Sequence, residues 1–174
     1  AVRFFEQRMR LVPTFFELSE TNSAKVLSLC ELAGGNPLAI ELLTARCDMT
    51  DLEEIADQLL ATSLLRSGGS DSDLFLNRVM QWSYGLLSGD EQQFFFFFSV
   101  FAGGFEKEAV VSVFDQVNPS SALNSIEATI DALLRVSLLR QISDTINPPR
   151  YMLHPAVREF AAHLLSSTGE ARQF

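Results

Sequence analysis

Gly34-Gly35-Asn36-Pro37-Leu38-Ala39-Ile40-Glu41-Leu42-Leu43 is the stretch whose reading decides the fold. Paired glycines accept the left-handed geometry that closes a helix. Asn36 is a strong N-cap residue, and Pro37 suits the first helical position, where its missing N–H costs nothing. One helix therefore ends near Ala33 and another begins at Pro37 and runs to about Arg46. Only Glu41 and Arg46 are charged in this second helix, so it is expected to be buried on most sides. The turn presents rigid backbone and a proline ring at a helix mouth, where something flat or anionic could dock. It is equally a tight turn between two helices that needs no ligand.

Working outward, Val26, Leu27, Cys30 and Ala33 fall on one face of a helix over Asn22–Ala33. Ala1–Arg10 is a short charged amphipathic stretch, followed by a connection through Pro13. Thr50-Asp51-Leu52-Glu53 has the capping-box pattern and opens a helix with Leu52, Ile55, Ala56, Leu59 and Leu60 on a stripe. Ser67–Asp73 is small, polar and turn-prone. The expected organisation is a helical domain over residues 1–66, a linker over 67–73 and a second domain over 74–174.

In that second domain Leu74–Leu87 reads as helix, and Ser88-Gly89-Asp90-Glu91 is another capping box. The helix it opens carries five consecutive phenylalanines, Phe94 to Phe98, with Phe94, Phe97, Phe98 and Phe101 on one face. Five in a row cannot all point inward from one face of a helix, so Phe95 or Phe96 is expected to be partly exposed, and Gly103-Gly104 to stop the helix. Further helices fit Lys107–Phe114 and Ser125–Val136, and short strands fit Ser137–Ile142 and Tyr151–His154 around a turn at Asp144–Pro149. Pro155 starts a last helix with Val157, Phe160, Ala161, Leu164 and Leu165 on a stripe. The fold class is mainly α: a helical bundle, then three helices, a β-hairpin and a closing helix, the plan of a winged helix.

Composition limits the function. Hydrophobic residues make up 47% and charged residues 20%, which is globular and not disordered. The net charge of −9 argues against a phosphate backbone as partner, because such binding is carried by Lys and Arg. No run approaches the length of a membrane span, and two cysteines, Cys30 and Cys47, are too few for a disulfide framework. A reducing cytoplasm is the expected compartment. The chain also reads as a fragment, since Ala1 already sits in a helical pattern.

Catalytic patterns are missing. A P-loop needs Gly-Lys followed by Ser or Thr, but Lys25 and Lys107 follow Ala24 and Glu106. Two Cys and two His at unrelated spacings make no metal quartet, and there is no Gly-x-Ser-x-Gly elbow.

Four blocks in order carry a resemblance: Gly34–Leu43, Trp82-Ser83-Tyr84-Gly85-Leu86-Leu87, Phe98–Phe105 and Tyr151–Phe160. Together they resemble the helical and winged-helix part of NB-ARC (STAND-type) signalling ATPases, notably bacterial regulators of the AfsR and MalT-like LuxR kind. The resemblance implies an ADP/ATP switch whose nucleotide-binding core lies ahead of Ala1 and supplies the Mg. That core would be the partner in cis, with an effector or sensor domain or self-association elsewhere in the parent protein. It implies a proline packed on adenine, carried here by Gly35, Asn36, Pro37 and Leu38, although Asn36 replaces the commoner apolar residue. It also implies a histidine reaching the β-phosphate of ADP. His154 matches, but Pro155 stands where the family has aspartate. Without the resemblance His154 reads as a cap for the last helix, and Trp82 and Ser83 as packing between modules.

Two further readings stand beside the switch. A winged-helix DNA reader would place Ser125–Val136 in the major groove, yet that helix holds Glu127 and Asp131 against Arg135 alone. A plain protein-interaction module needs only exposed phenylalanines. Neither nucleic acid nor membrane is an expected partner of this segment.

Overall fold

A computed structural model describes residues 1–11, 16–47, 52–64, 71–117, 123–143 and 148–168. The chain divides into two compact units, Ala1–Ser83 and Tyr84–Phe174. Asp71–Asp73, at the end of the expected linker, form the first turn of a helix. Pro13, Thr50, Asp51, the 67–70 part of the expected linker and the 144–147 part of the expected turn lie outside the described residues.

The first unit is built of α1 (Val2–Met9), α2 (Glu20–Leu32), α3 (Pro37–Arg46), α4 (Leu52–Leu64) and most of α5 (Asp71–Tyr84). Helix α1 packs on α2 and α3, and α2 on α4. Ser19 and Asn22 form a reciprocal capping box at the start of α2, with the Ser19 N–H donating to Asn22 Oδ1 at 2.9 Å. As its composition demands, α3 buries Leu38, Ala39, Ile40, Leu42, Leu43, Thr44 and Arg46. The Thr44 hydroxyl is satisfied by donating to the Ile40 carbonyl at 2.9 Å. Each fully buried Leu or Ile here contributes about 1.5–3 kcal/mol from removal of apolar surface. The inner face of α2 differs from the expected set: Val26, Leu29 and Cys30 are buried, while Leu27 is 49% exposed. Leu29 lies three positions after Val26 and so continues its face; Leu27 is turned about 100° away from it.

The second unit runs α6 (Gly89–Phe98), β1 (Phe105–Glu106), α7 (Lys107–Val117), α8 (Leu123–Arg135), β2 (Arg140–Ser143), β3 (Arg150–Met152) and α9 (Pro155–Thr168). This is the winged-helix order, with a small antiparallel sheet arranged β1-β3-β2. Phe105 pairs with Tyr151 and Arg140 with Met152, and an irregularity between Gln141 and Ser143 breaks the ladder. Strand β1 adds to the expected hairpin; two residues are too short to show alternation. Two residues past α8 Ser137 takes a left-handed φ of 57°, and Leu138 and Leu139 N–H both donate to the Leu133 carbonyl. The strand consequently starts at Arg140 and not at Ser137.

The capping box at α6 forms: Ser88 N–H donates to Glu91 Oε2 at 2.7 Å, and Glu91 N–H to Ser88 Oγ at 3.4 Å. The expectation for the phenylalanine run is corrected. All five of Phe94–Phe98 are buried, because the C-terminal half of α6 is enclosed by other elements. Phe94 and Phe97 meet Phe114 of α7 at 4.9 and 5.6 Å between ring centroids. Phe98 stacks on Phe105 of β1 at 5.0 Å, and Phe95 and Phe96 meet Tyr84 at 5.6 and 5.8 Å. The helix stops at Phe98, ahead of Gly103-Gly104. Gly104 instead turns the chain into β1 with φ of 81°, where a Cβ would meet the Tyr151 carbonyl oxygen at 2.8 Å.

Candidate functional site

The four residues expected on the adenine side, Gly35, Asn36, Pro37 and Leu38, form one turn in the first unit. Helix α2 closes as Gly34 and Gly35 take φ of 56° and 69°. Gly34 N–H donates to the Glu31 carbonyl at 2.8 Å and Gly35 N–H to the Cys30 carbonyl at 3.1 Å, which satisfies the helix end. Gly34 is also a point of close approach, because a Cβ on it would lie 2.7 Å from Ser72 Cβ at the start of α5.

Asn36 then caps α3 as its sequence position requires. Its Oδ1 accepts from Leu38 N–H at 2.9 Å and from Ala39 N–H at 3.4 Å. Pro37 has no N–H, Ile40 N–H bonds to the Asn36 carbonyl, and Asn36 N–H to the Ala33 carbonyl. The donors that an anion would use are thus taken within the turn. What the helix mouth offers is the exposed ring of Pro37, an apolar and flat surface, beside exposed Gly35. Leu38 points into the core at 6% exposure and serves packing.

His154 stands in the second unit, half-buried between β3 and α9. Its carbonyl accepts the Arg158 N–H at 3.0 Å, and its Nδ1 accepts the Ala156 N–H at 3.3 Å. Accepting at Nδ1 selects the tautomer with hydrogen on Nε2, which leaves Nε2 as a donor. The two roles read from the sequence are therefore compatible on one ring: Nδ1 caps α9 and Nε2 is available to an anion. Leu153, just before it, is buried, and Pro155 opens the helix.

The third helix of the winged-helix unit, α8, buries Ile126, Thr129, Ile130, Ala132 and Leu133 and turns Glu127, Ala128, Asp131 and Arg135 outward. Glu127 is ion-paired with Lys107 of α7. The Lys107 ammonium is held above its usual pKa by its hydrogen bond and charge interaction with Glu127, against a smaller opposing effect of desolvation.

Cys30 and Cys47 are both buried and unbridged, and burial pushes the Cys30 thiol up from its ordinary pKa. Among the described residues no cluster of three or more His, Cys, Asp or Glu is arranged to hold a metal, and no helix is long and apolar enough to cross a membrane. One constellation escaped sequence reasoning. Trp82 packs within the first unit under the guanidinium of Arg46, whose carbon lies 3.7 Å from the ring centroid. The available signal was a single arginine at the end of an otherwise apolar helix.

Comparison with known proteins gives mycobacterial relatives. The Mycobacterium tuberculosis protein named "Putative HTH-type transcriptional regulator Rv0890c" is 33% identical over 177 residues, covering 98% of this chain and 20% of its own length. The "Uncharacterized protein Rv0894" of the same organism is 30% identical over 178 residues, covering 98% of this chain and 44% of its own length. A Mycobacterium bovis protein named "Putative HTH-type transcriptional regulator Mb0914c" matches at the same 33%. The chain thus spans a fifth to under half of the curated relatives it matches, and no family model matches it.

Proposed function

We propose that this chain is a regulatory segment of a longer transcriptional regulator, transmitting a signal and not reading DNA itself. The observation that carries this is the outward face of α8, which offers Asp131 and Glu127, the latter already paired with Lys107 of α7, and a single arginine, Arg135. A groove-reading helix lies among phosphates, and carboxylates there are repelled. The name of the mycobacterial relatives supports a role in transcription for the longer protein. The matched segment is only a fifth of that length, which leaves room for a separate DNA-binding part.

The finer form of this proposal is a nucleotide-dependent switch of the NB-ARC (STAND) type. In it the Pro37 ring packs on the adenine of ADP or ATP held by a P-loop core elsewhere in the parent, and His154 Nε2 donates to a phosphate. The geometry in favour is local: a flat apolar helix mouth at Pro37, and a histidine whose Nδ1 is occupied and whose Nε2 is not required by the cap. ADP would then favour the closed state, and exchange would release it.

Titration of a labelled duplex with this chain at low salt tests the regulatory reading, because low salt enlarges any electrostatic attraction. No sequence-specific binding is expected. Specific sub-micromolar binding, lost in Arg135→Ala, would transfer the assignment to the second reading, a winged-helix DNA reader. The relatives' printed name and the exposed Arg135 and Arg140 near the wing favour that alternative.

A further inference from the structure

We propose that the first unit carries a binding cleft for a small organic oxyanion, lined by Trp82 and Arg78 and charged in addition by Arg46. The inference is independent of the nucleotide reading of Pro37 and His154. Gln58 and Leu59 of α4 and Arg78 and Trp82 of α5 line a cleft of about 290 Å³. Arg78 and Trp82 are four residues apart on α5 and so share a face. The ring of Trp82 is common to the cleft and to Arg46, whose guanidinium carbon lies 3.7 Å from the ring centroid.

Arg46 does not line the cleft, but its cation lies over the indole that does. Arg46 is 6% exposed, and its Nε and Nη1 are buried without a hydrogen-bond partner among the described residues. Buried charges are normally paired, and two unmet donors on one cation are costly. Burial lowers the Arg46 pKa, against the raising effects of Cys47 and Glu54. Glu54 is exposed, and its carboxylate accepts the Gln58 amide at 3.1 Å. Arg46 therefore adds positive charge beside Trp82, while its buried Nε and Nη1 stay out of reach of an occupant of the cleft.

The lining specifies the ligand's chemistry. The Arg78 fork suits the oxygens of a carboxylate or phosphate. Leu59 and the indole suit a flat apolar body. A cleft this size sits at the lower edge of small-molecule sites, about 300–1,000 Å³, so the occupant is a compact molecule and not a polymer.

Trp82 is the only tryptophan, so its fluorescence reports on the cleft alone. The test titrates the 174-residue chain with sodium benzoate and, separately, with sodium phosphate, at ionic strength held constant with sodium chloride. A saturable change in Trp82 emission is expected with at least one of them. Saturation by benzoate identifies a carboxylate on a flat body, and saturation by phosphate identifies a phosphate-bearing ligand. Arg78→Gln should weaken the binding about 10-fold or more, with unchanged melting. Arg46→Met, which removes the charge over the indole, should weaken it, and circular dichroism checks that variant's fold. Because loss of a core cation can itself unfold the unit, Arg78→Gln is the deciding variant. A linear, unsaturable response to both salts overturns the proposal, as does an Arg78→Gln variant that binds as tightly as the parent chain.

Discussion

His154 Nδ1 accepts the backbone N–H of Ala156 at 3.3 Å while its own carbonyl accepts the N–H of Arg158 at 3.0 Å. One residue thus closes the start of α9 through both its side chain and its backbone. His154→Ala should cost about 1 kcal/mol, the usual worth of an N-cap, read as a lower melting temperature. His154→Asn should restore that stability, since Asn is a better cap.

The same pair of variants separates capping from phosphate contact in a longer protein that includes a nucleotide core. A charge-assisted donor at Nε2 contributes about 1.5–3 kcal/mol, or roughly 10- to 150-fold in ADP affinity. Both His154→Ala and His154→Asn should then speed ADP release, although only the first is less stable. If ADP leaves both variants at the parent rate, the phosphate role fails and the cap remains.

Gly34 and Gly35 should respond differently to alanine. Both have left-handed φ, which costs an L-residue about 1–2 kcal/mol. At Gly34 the new Cβ also meets Ser72 Cβ at 2.7 Å, while at Gly35 the nearest neighbour is Ala1 Cβ at 4.0 Å. Overpacking of this kind adds about 1–3 kcal/mol. Urea denaturation should therefore rank Gly34→Ala as clearly less stable than Gly35→Ala. Equal midpoints would contradict the close approach of α5 to this turn.

Phe95→Ala and Phe98→Ala should each destabilise the second unit by about 3–5 kcal/mol, because both rings are fully buried. The parent chain should not bind a hydrophobic dye through this run. Dye binding that disappears on Phe95→Ser without loss of folding would restore the exposed-patch reading.

Alkylation of Cys30 and Cys47 should be slow in the folded chain and fast in denaturant. The reactive species is the thiolate. Both thiols are buried, and burial raises the Cys30 pKa, so at neutral pH the thiolate is scarce as well as shielded. Mass spectrometry after a short pulse of iodoacetamide measures this directly.

Features governed by a few adjacent residues were legible in the chain. Asn36 before Pro37, and Ser88 three residues before Glu91, each produced the cap they encode, since the donor and acceptor are covalent neighbours. Gly34 and Gly35 adopt positive φ for the same local reason. The winged-helix order followed from helix periodicity and the turn at Pro155. The burial of Leu38 is not legible in the same way, because which side of α3 faces inward depends on its packing against α1.

The sequence by itself determined the helices, their caps and the turn that exposes Pro37, because those rest on interactions within a few residues. Tertiary structure alone decided the rest. It buried all five phenylalanines of α6 by surrounding that helix with Tyr84, Phe105 and Phe114. It recruited Phe105-Glu106 as a strand by pairing it with Arg150-Tyr151. It brought Gly34 and Ser72 into close approach within the first unit. It also set Arg46 over Trp82, 36 positions later in the chain. Each depends on contacts between residues distant in sequence, and neither composition nor spacing encodes which distant side chain will complete a given surface.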